Sequence, residues 1–566
     1  MFRFFEQANF AILEGHYSEA KSILEPYITS NALASLEYTQ IDLGRSNITG
    51  ENHLRVDAKK QLEMTESLLD NHERDDNQIL GFAKDTIRLN RLAITTIVEG
   101  YRFPPNEGAV PLLDDLDDAQ LIYNFRILVH AMRAEIAVSK AMLHYYASSL
   151  LKSAYYIRKG YKSFETAYNM INLNNPNASN MSSNQYVHPD LIDYVNFGMG
   201  SYWYILSIAP KGLQSVLGFL GFTMDKKKGI EMVRKSVFNE GRTFASGVLV
   251  LSLHYVFISS GFKDNKRRLN KFTPVIDLCV GKFKYGPAIN ALISQYHRKF
   301  GHLDLAIEYN IRAIDVSQQT LGIVPNAFLS DLGQCYYVKM DFPNSIRVLE
   351  QAVNKPGTFD GKGLIALYLL CAYNISNKPC KPLLVLLSNS IDKKSRIDKY
   401  ATEKLKVLKA IEKNDKEFAV NLFCTHFDTI YARDRMDELD DNAEALLKPM
   451  LDLMESQYQA TPDMTFDTQA ARLFVFTTLS RRLNLLTQDQ IINNLKIVIN
   501  MSQRVKYEHQ WSAFANYELA KLLYLQPNSN KQAVMSLLQL AMDTKSYAME
   551  EVFQTRIKTS MLQCQK

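Results

Sequence analysis

Apolar residues recur at three- and four-residue spacing along nearly the whole chain, whereas strict apolar–polar alternation with β-branched enrichment is hard to find over six or more positions. That pattern predicts helices throughout and no sheet. From Asp117 to about Ile171 the run containing AEIAVSKAMLHYYASSLLKSAYYIRKGYKSFETAYNMI fits two or three long helices, with aromatic-rich faces at Tyr145, Tyr146, Tyr155, Tyr156 and Tyr161. The acidic knots DDLDD (Asp114 to Asp118) and DELDD (Asp437 to Asp441) read as helix starts, where carboxylates meet the positive end of the helix dipole. The Asn- and Ser-rich stretch from Asn172 to Asp190 has too little apolar content to bury and is expected to be a mobile surface loop. Further loops are expected near Ser46 to His53, Phe103 to Pro111 and Gln459 to Phe466, and none reads as a linker between independent domains.

Within this helical pattern one building rule recurs. In ANFAILEGHYSEAKSIL, Ala8 is followed by Gly15, Tyr17 and Ala20. In a tetratricopeptide repeat those places are the small contact between paired helices, the turn glycine, the aromatic that plugs the turn, and the alanine where the second helix crosses the first. The same spacing returns with Ser294, Gly301, Leu303, Ala306 and Ala313, and again with Leu332, Gly333, Tyr336, Phe342, Ser345 and Ala352. Lys355-Pro356-Gly357 then stops the helix. A looser version near the end uses Ala520, Ala533 and Ala541. Helices that cross closely need alanine, serine or glycine at the crossing, because a larger side chain forces the axes apart.

Composition adjusts this picture in three ways. At 566 residues the chain exceeds one compact core, and the usual length prior gives roughly three to five domains, a count that a repeat array evades. With 46% apolar and 22% charged residues it belongs among folded proteins, and a net charge of +5 over this length is no basic stripe, so nucleic acid is not an expected partner. The six cysteines form no CxxC pair, which argues against a disulfide framework or a zinc ribbon and for buried thiols in a reducing compartment. The first residues carry Glu6 and Glu14 where a secretory signal needs an apolar core, so the expected location is the cytosol, with the nucleus as a second site.

Candidate chemistry is sparse. Gly198 and Gly200 give GxG, but Trp203 stands where a dinucleotide loop needs its third glycine, and no strand precedes it. No GxxxxGK[ST], HExxH or GxSxG occurs, and the one close Cys and His pair, Cys424 and His426, is two positions apart and so off a common helix face. No catalytic residue, metal site or cofactor is expected. The uncharged run from Phe244 to Phe262 is about as long as a bilayer is thick, yet it contains His254 and four serines and is flanked by Arg242 and Lys263. It reads as a helix buried on all sides, the alternative being peripheral docking on a membrane or lipid droplet helped by Lys226 to Lys228, Lys263, Lys266, Arg267 and Arg268.

The segment FGMGSYWYILSIAPKGLQSVLGFLGFTMDKKKG, from Phe197 to Gly229, resembles the signature of the tetratricopeptide repeat protein 39 family, which includes the fungal inclusion-body clearance proteins. Gly198, Gly200, Ser207, Pro210, Leu217, Gly221, Phe222, Asp225 and Gly229 fall on its pattern of a glycine-x-glycine helix, a Ser-x-x-Pro corner, a helix ending in Gly-Phe, and a third helix. Upstream, Ile157, Arg158, Gly160 and Tyr168 are similar to the family's aromatic helices. At the far end Phe514, Tyr517, Glu518, Leu519, Tyr547, Met549, Glu550, Arg556 and Ile557 resemble its closing repeat. From about Lys381 to Ala460 only helical character matches.

The resemblance implies a non-enzymatic adaptor with links to clearance of misfolded protein inclusions and to lipid handling, its matched residues being structural. The expected architecture is all-α: a right-handed helical-repeat superhelix of tetratricopeptide-like helix pairs with a thick central segment, continuous over 1–566. Its parts are N-terminal pairs over 1–116, signature helices over 117–262 and repeats over 263–566. Such an array leaves a concave surface, where a peptide or helix of a partner protein is expected to bind.

Overall fold

A computed structural model describes residues 1–49, 51–93, 112–147, 149–172, 185–208, 222, 224–259, 261–263, 265–283, 285–355, 359, 361–392, 395, 397–547 and 549–565. Among them are 26 α-helices and no strand. The first ten are α1 (Arg3–Leu13), α2 (Tyr17–Leu24), α3 (Ala32–Thr49), α4 (Asn52–His72), α5 (Asp76–Ala93), α6 (Asp118–Tyr146), α7 (Leu150–Asn172), α8 (Pro189–Ser207), α9 (Lys226–Phe238) and α10 (Phe244–Ser252). Then follow α11 (Asn265–Leu269), α12 (Thr273–Lys282), α13 (Pro287–Phe300), α14 (Leu303–Leu321), α15 (Asn326–Val338), α16 (Phe342–Asn354), α17 (Lys362–Ile375) and α18 (Lys381–Ser390). The last eight are α19 (Lys399–Ile411), α20 (Asp415–Ala432), α21 (Ala443–Ser456), α22 (Phe466–Arg482), α23 (Gln488–Met501), α24 (Gln510–Tyr524), α25 (Lys531–Asp543) and α26 (Glu550–Cys564). The fold is an all-α helical-repeat fold.

The small residues sit where the spacing puts them. Ala8 and Ala20 are fully buried between α1 and α2. The Ser294 hydroxyl donates to the Ala306 carbonyl at 2.7 Å, and Ser345 donates to Gly333 at 3.0 Å, so each crossing brings a side chain onto the partner helix's backbone. The turns share a left-handed residue two places before the second helix: Gly15 (φ 86°), Gly301 (φ 93°) and Met340 (φ 63°). Glycine enters that region without steric cost, and Met340 shows that the turn geometry outweighs residue preference.

The chain divides into two compact units, residues 1–254 with 272–289 and 316–323, and residues 255–271 with 290–315 and 324–566. In the first, the stretch expected to hold two or three helices forms two, α6 and α7, packed along each other. Asp117 caps α6 by accepting from the Gln120 amide at 2.8 Å, as the acidic knot predicts. Helix α3 runs to Thr49 and α4 begins at Asn52, so the connection expected over Ser46 to His53 is much shorter. The loop expected from Phe103 to Pro111 lies outside the described residues, as do positions 173–184 of the Asn-rich stretch. The end of that stretch is not a surface loop: Tyr186, Val187 and His188 are irregular but buried, and α8 starts at Pro189.

The apolar run from Phe244 departs from a long helix buried on every side. The α-helix ends at Ser252 and passes into a π-helical turn over Leu253–Phe257. Phe244, Val248, Leu251, Tyr255 and Val256 are buried, but Leu249 is 63% and Phe257 56% exposed. No helix among the described residues is long and apolar enough to cross a membrane.

The second unit is organised around α20. Asn414 caps it by accepting from the Glu417 amide at 3.1 Å. It ends in a Schellman turn, with Asp434 at φ 57° and the Arg435 amide donating to Ile430 at 3.0 Å. Fifteen of its eighteen residues are buried. His426 packs on Tyr337 of α15 at 4.1 Å, and the Asn374 side chain of α17 donates to the Ala419 carbonyl at 2.9 Å. Asn421 donates to Thr468 of α22 at 3.3 Å, and the Tyr431 ring lies 4.7 Å from Phe514 of α24 and 6.1 Å from Phe553 of α26. One helix therefore touches α15, α17, α22, α24 and α26.

Candidate interaction surfaces

The signature segment works by backbone proximity. A Cβ built on Gly229 of α9 meets the Gly200 carbonyl at 2.6 Å and the Tyr204 amide at 2.9 Å, and one built on Gly200 meets the Gly229 carbonyl at 2.9 Å. Helices α8 and α9 thus cross with main chain against main chain, which only glycine on both sides allows. A Cβ on Gly198 would meet the Phe164 ring at 2.3 Å, and one on Gly160 the Tyr202 hydroxyl at 2.2 Å. Asp225 caps α9 by accepting from the Lys228 amide at 2.9 Å, and the Lys228 ammonium lies 4.6 Å from the Trp203 ring centre. Ser207 donates to the Tyr204 carbonyl, and Phe222 is buried against Tyr161. Pro210, Leu217 and Gly221 lie outside the described residues.

The closing-repeat residues gather in the second unit around a buried ionic network. Arg556 of α26 pairs with Asp434 at 3.2 Å, donates to the Tyr431 carbonyl at 3.2 Å, and lies 4.6 Å from the Tyr517 ring centre. Glu518 accepts from the Tyr431 hydroxyl at 2.6 Å and from Arg481 at 2.5 Å. Burial opposes the charge on Glu518 and Asp434, but Arg481, Lys521 and Arg556 around the first and Arg556 and Lys299 around the second outweigh it, holding both carboxyls well below their usual range. Glu550 accepts from the Ser546 amide at 3.0 Å, and Met549 opens α26 at φ 59°. Tyr547 beside it is buried, its hydroxyl without a hydrogen-bond partner among the described residues.

Cys424 and His426 do not form a reactive pair. Both are buried; burial pushes the thiol well up and the imidazole down to about 3, so each is held neutral. Neither ring nitrogen of His426 has a hydrogen-bond partner among the described residues, and its ring neighbours are Tyr337, Phe342 and Phe427. No group of three His, Cys, Asp or Glu side chains among the described residues could hold a metal ion.

Two cavities of comparable size carry charged groups that are internally paired. The first, about 300 Å³, has Tyr194 and Arg242 in its wall. Arg242 pairs with Glu37 and, at 3.0 Å, with Glu135. The second, about 290 Å³, is lined by Lys404 with its partner Glu508 and by Tyr400, Gln510 and Tyr547. The Tyr400 hydroxyl and the Gln510 amide both donate to Asp428, whose carboxyl burial pushes up to about 6. In neither does a nucleophile meet a base held by a third group.

The central place of α20 is not among the expectations drawn from spacing. A signal for it is present: from Asn421 to Ala432 only Asp428 is a carboxylate or fixed cation, the composition of a helix enclosed all round. The aromatics of the α6–α7 hairpin, expected on helix faces, flank an adjacent apolar pair, Leu150 and Leu151.

Compared with known proteins, residues 7–355 match the family model described as Iml2/Tetratricopeptide repeat protein 39. Among solved structures, the crystal structure of the APC/C hetero-tetramer Cut9-Hcn1 is 13% identical, with 97% of this chain and 95% of that chain covered and a TM-score of 0.23. A circular tandem repeat protein with novel repeat topology and enhanced subunit contact surfaces is 11% identical over 98% of this chain and 86% of that one, with a TM-score of 0.12. Likeness at those TM-scores carries no argument about what this chain binds.

Proposed function

The chain belongs to the Iml2/Tetratricopeptide repeat protein 39 family, and from that premise we propose that it is a non-catalytic scaffold that holds protein partners. The observation that carries the reading is the helical-repeat fold itself: helix pairs stacked through small-residue crossings display long surfaces suited to recognition. The neutral Cys424 and His426 and the internally paired cavities support a role in binding over one in chemistry.

Binding of a peptide or helix in a concave groove, the usual mode for such arrays, has little support in the second unit, because α20 already lies against α15, α22 and α24. We therefore assign partner contacts to outward faces. The processes proposed, clearance of misfolded protein inclusions and lipid handling, rest on the family resemblance. The six unpaired cysteines, five of them buried, support a reducing, cytosolic setting.

Affinity capture of the full chain, with and without proteotoxic or lipid load, followed by lysine cross-linking and mass spectrometry tests this reading. The expected result is a stoichiometric protein partner, cross-linked to exposed lysines such as Lys381, Lys406 and Lys448. A chain that captures no protein under any load, or one that turns over a substrate, contradicts it.

A further inference from the structure

The tip of the α6–α7 hairpin carries a set of apolar side chains that the rest of the first unit leaves uncovered. Leu151 is 89% exposed, the most exposed large apolar side chain among the described residues, and Tyr155 is 63% exposed; Tyr145, Tyr146 and Leu150 are exposed beside them. The tip is held in shape. The Ser149 amide donates to the His144 carbonyl at 2.8 Å, and the buried Ser153 hydroxyl donates to the Ala141 carbonyl at 2.9 Å. His144 stacks on Tyr156 with ring centres 5.3 Å apart.

The charges that act on the His144 ring at this tip are cationic. After its own partial burial, the groups that act on His144 are Lys152, Lys59 and Lys140, all cations that lower its pKa. The carboxylate of Glu66 nearby is taken up by Lys140 and, at 3.2 Å, by Lys159. Arg55 lies over the Tyr146 ring at 4.2 Å.

We propose that the α6–α7 tip docks on an anionic phospholipid surface, with Leu150 and Leu151 entering the acyl boundary, the tyrosines at headgroup level, and Lys59 and Lys152 facing the lipid phosphates. Tyrosine is favoured at that depth, because its ring is apolar and its hydroxyl remains wet. Lysines attract an anionic leaflet while their methylene stems reach back along the apolar surface. A side chain as far out as Leu151 needs a wrapping pocket in a protein partner, whereas a bilayer accepts it without shape complementarity. Since no described helix is long and apolar enough to cross a membrane, the contact is one of lying on the surface. The inference goes beyond the scaffold reading and does not depend on it.

The test is flotation of the purified full chain with vesicles of phosphatidylcholine alone or with phosphatidylserine added. Binding is expected only to the anionic vesicles and should weaken as salt rises. The L150S/L151S variant should bind at least about tenfold more weakly, and K59Q and K152Q roughly fivefold more weakly each. All four positions are exposed, so melting by circular dichroism should match the parent. A control variant, L485S/L525S, which alters exposed leucines of the second unit, should float like the parent. No flotation of the parent, flotation indifferent to L150S/L151S, or loss of a captured protein partner in that variant without any vesicle binding would each overturn the proposal.

Discussion

Gly229 and Gly81 are both helical glycines, and the structure gives them opposite roles. A methyl group on Gly229 runs into the backbone of α8, whereas one on Gly81 of α5 meets nothing within 4 Å. G229A should therefore cost about 1–3 kcal/mol by overpacking a crossing that cannot relax through side chains, while G81A should gain roughly 0.5–1 kcal/mol from helix preference alone. Urea melts of the two variants check the pair; equal effects would mean that the close crossing is not there. His426 offers a second test at this scale. The unfolded chain takes up a proton at this ring near pH 6.5, the folded chain only near 3, so the native state loses stability as pH falls through that window. H426F, which keeps the ring shape and removes two unpartnered nitrogens, should escape this loss. Relative to the variant, the parent should lose about 2 kcal/mol between pH 6.5 and pH 5. Asp428, pushed up to about 6, responds in the opposite direction, favouring the folded state as pH falls, but it is common to both proteins and cancels from the difference.

At the scale of elements, what was legible in the sequence was what depends on short-range spacing. Ala8 with Ala20, Ser294 with Ala306, and Gly333 with Ser345 name their crossings in advance because each pair is 12 residues apart across one turn. The position of α20 was not legible, since its partners run from Tyr337 to Phe553 and nothing local encodes that convergence. The same holds for the apolar run from Phe244: its composition is that of a buried helix, and the turn at Leu253 that leaves Phe257 outward is a tertiary outcome. Arg556 tests how α26 is tied to the end of α20. R556M removes the arginine from buried Asp434, leaving Ser259 and the Lys299 charge to hold the carboxylate, and should cost about 3–5 kcal/mol. Adding D434N, which also tolerates the left-handed backbone at that position, should recover part of the loss. Additive losses in the double variant would mean that the pair does not couple the two helices.

At the scale of the whole molecule, the second unit is a set of helix pairs packed around one enclosed helix, α20. There α20 sends Asn421 to Thr468 of α22, His426 to Tyr337 of α15, and both Asp428 and Tyr431 to α24, at Gln510 and Phe514. The proposed scaffold reading puts partners on outward faces and leaves α20 to stability. Amide hydrogen exchange of residues 421–431, in the free chain and with a captured partner bound, tests this most directly. The account predicts that these amides exchange only through global unfolding of the second unit and that the partner leaves their rates unchanged. Fast exchange across α20 in the free chain, with protection appearing when the partner binds, would contradict it.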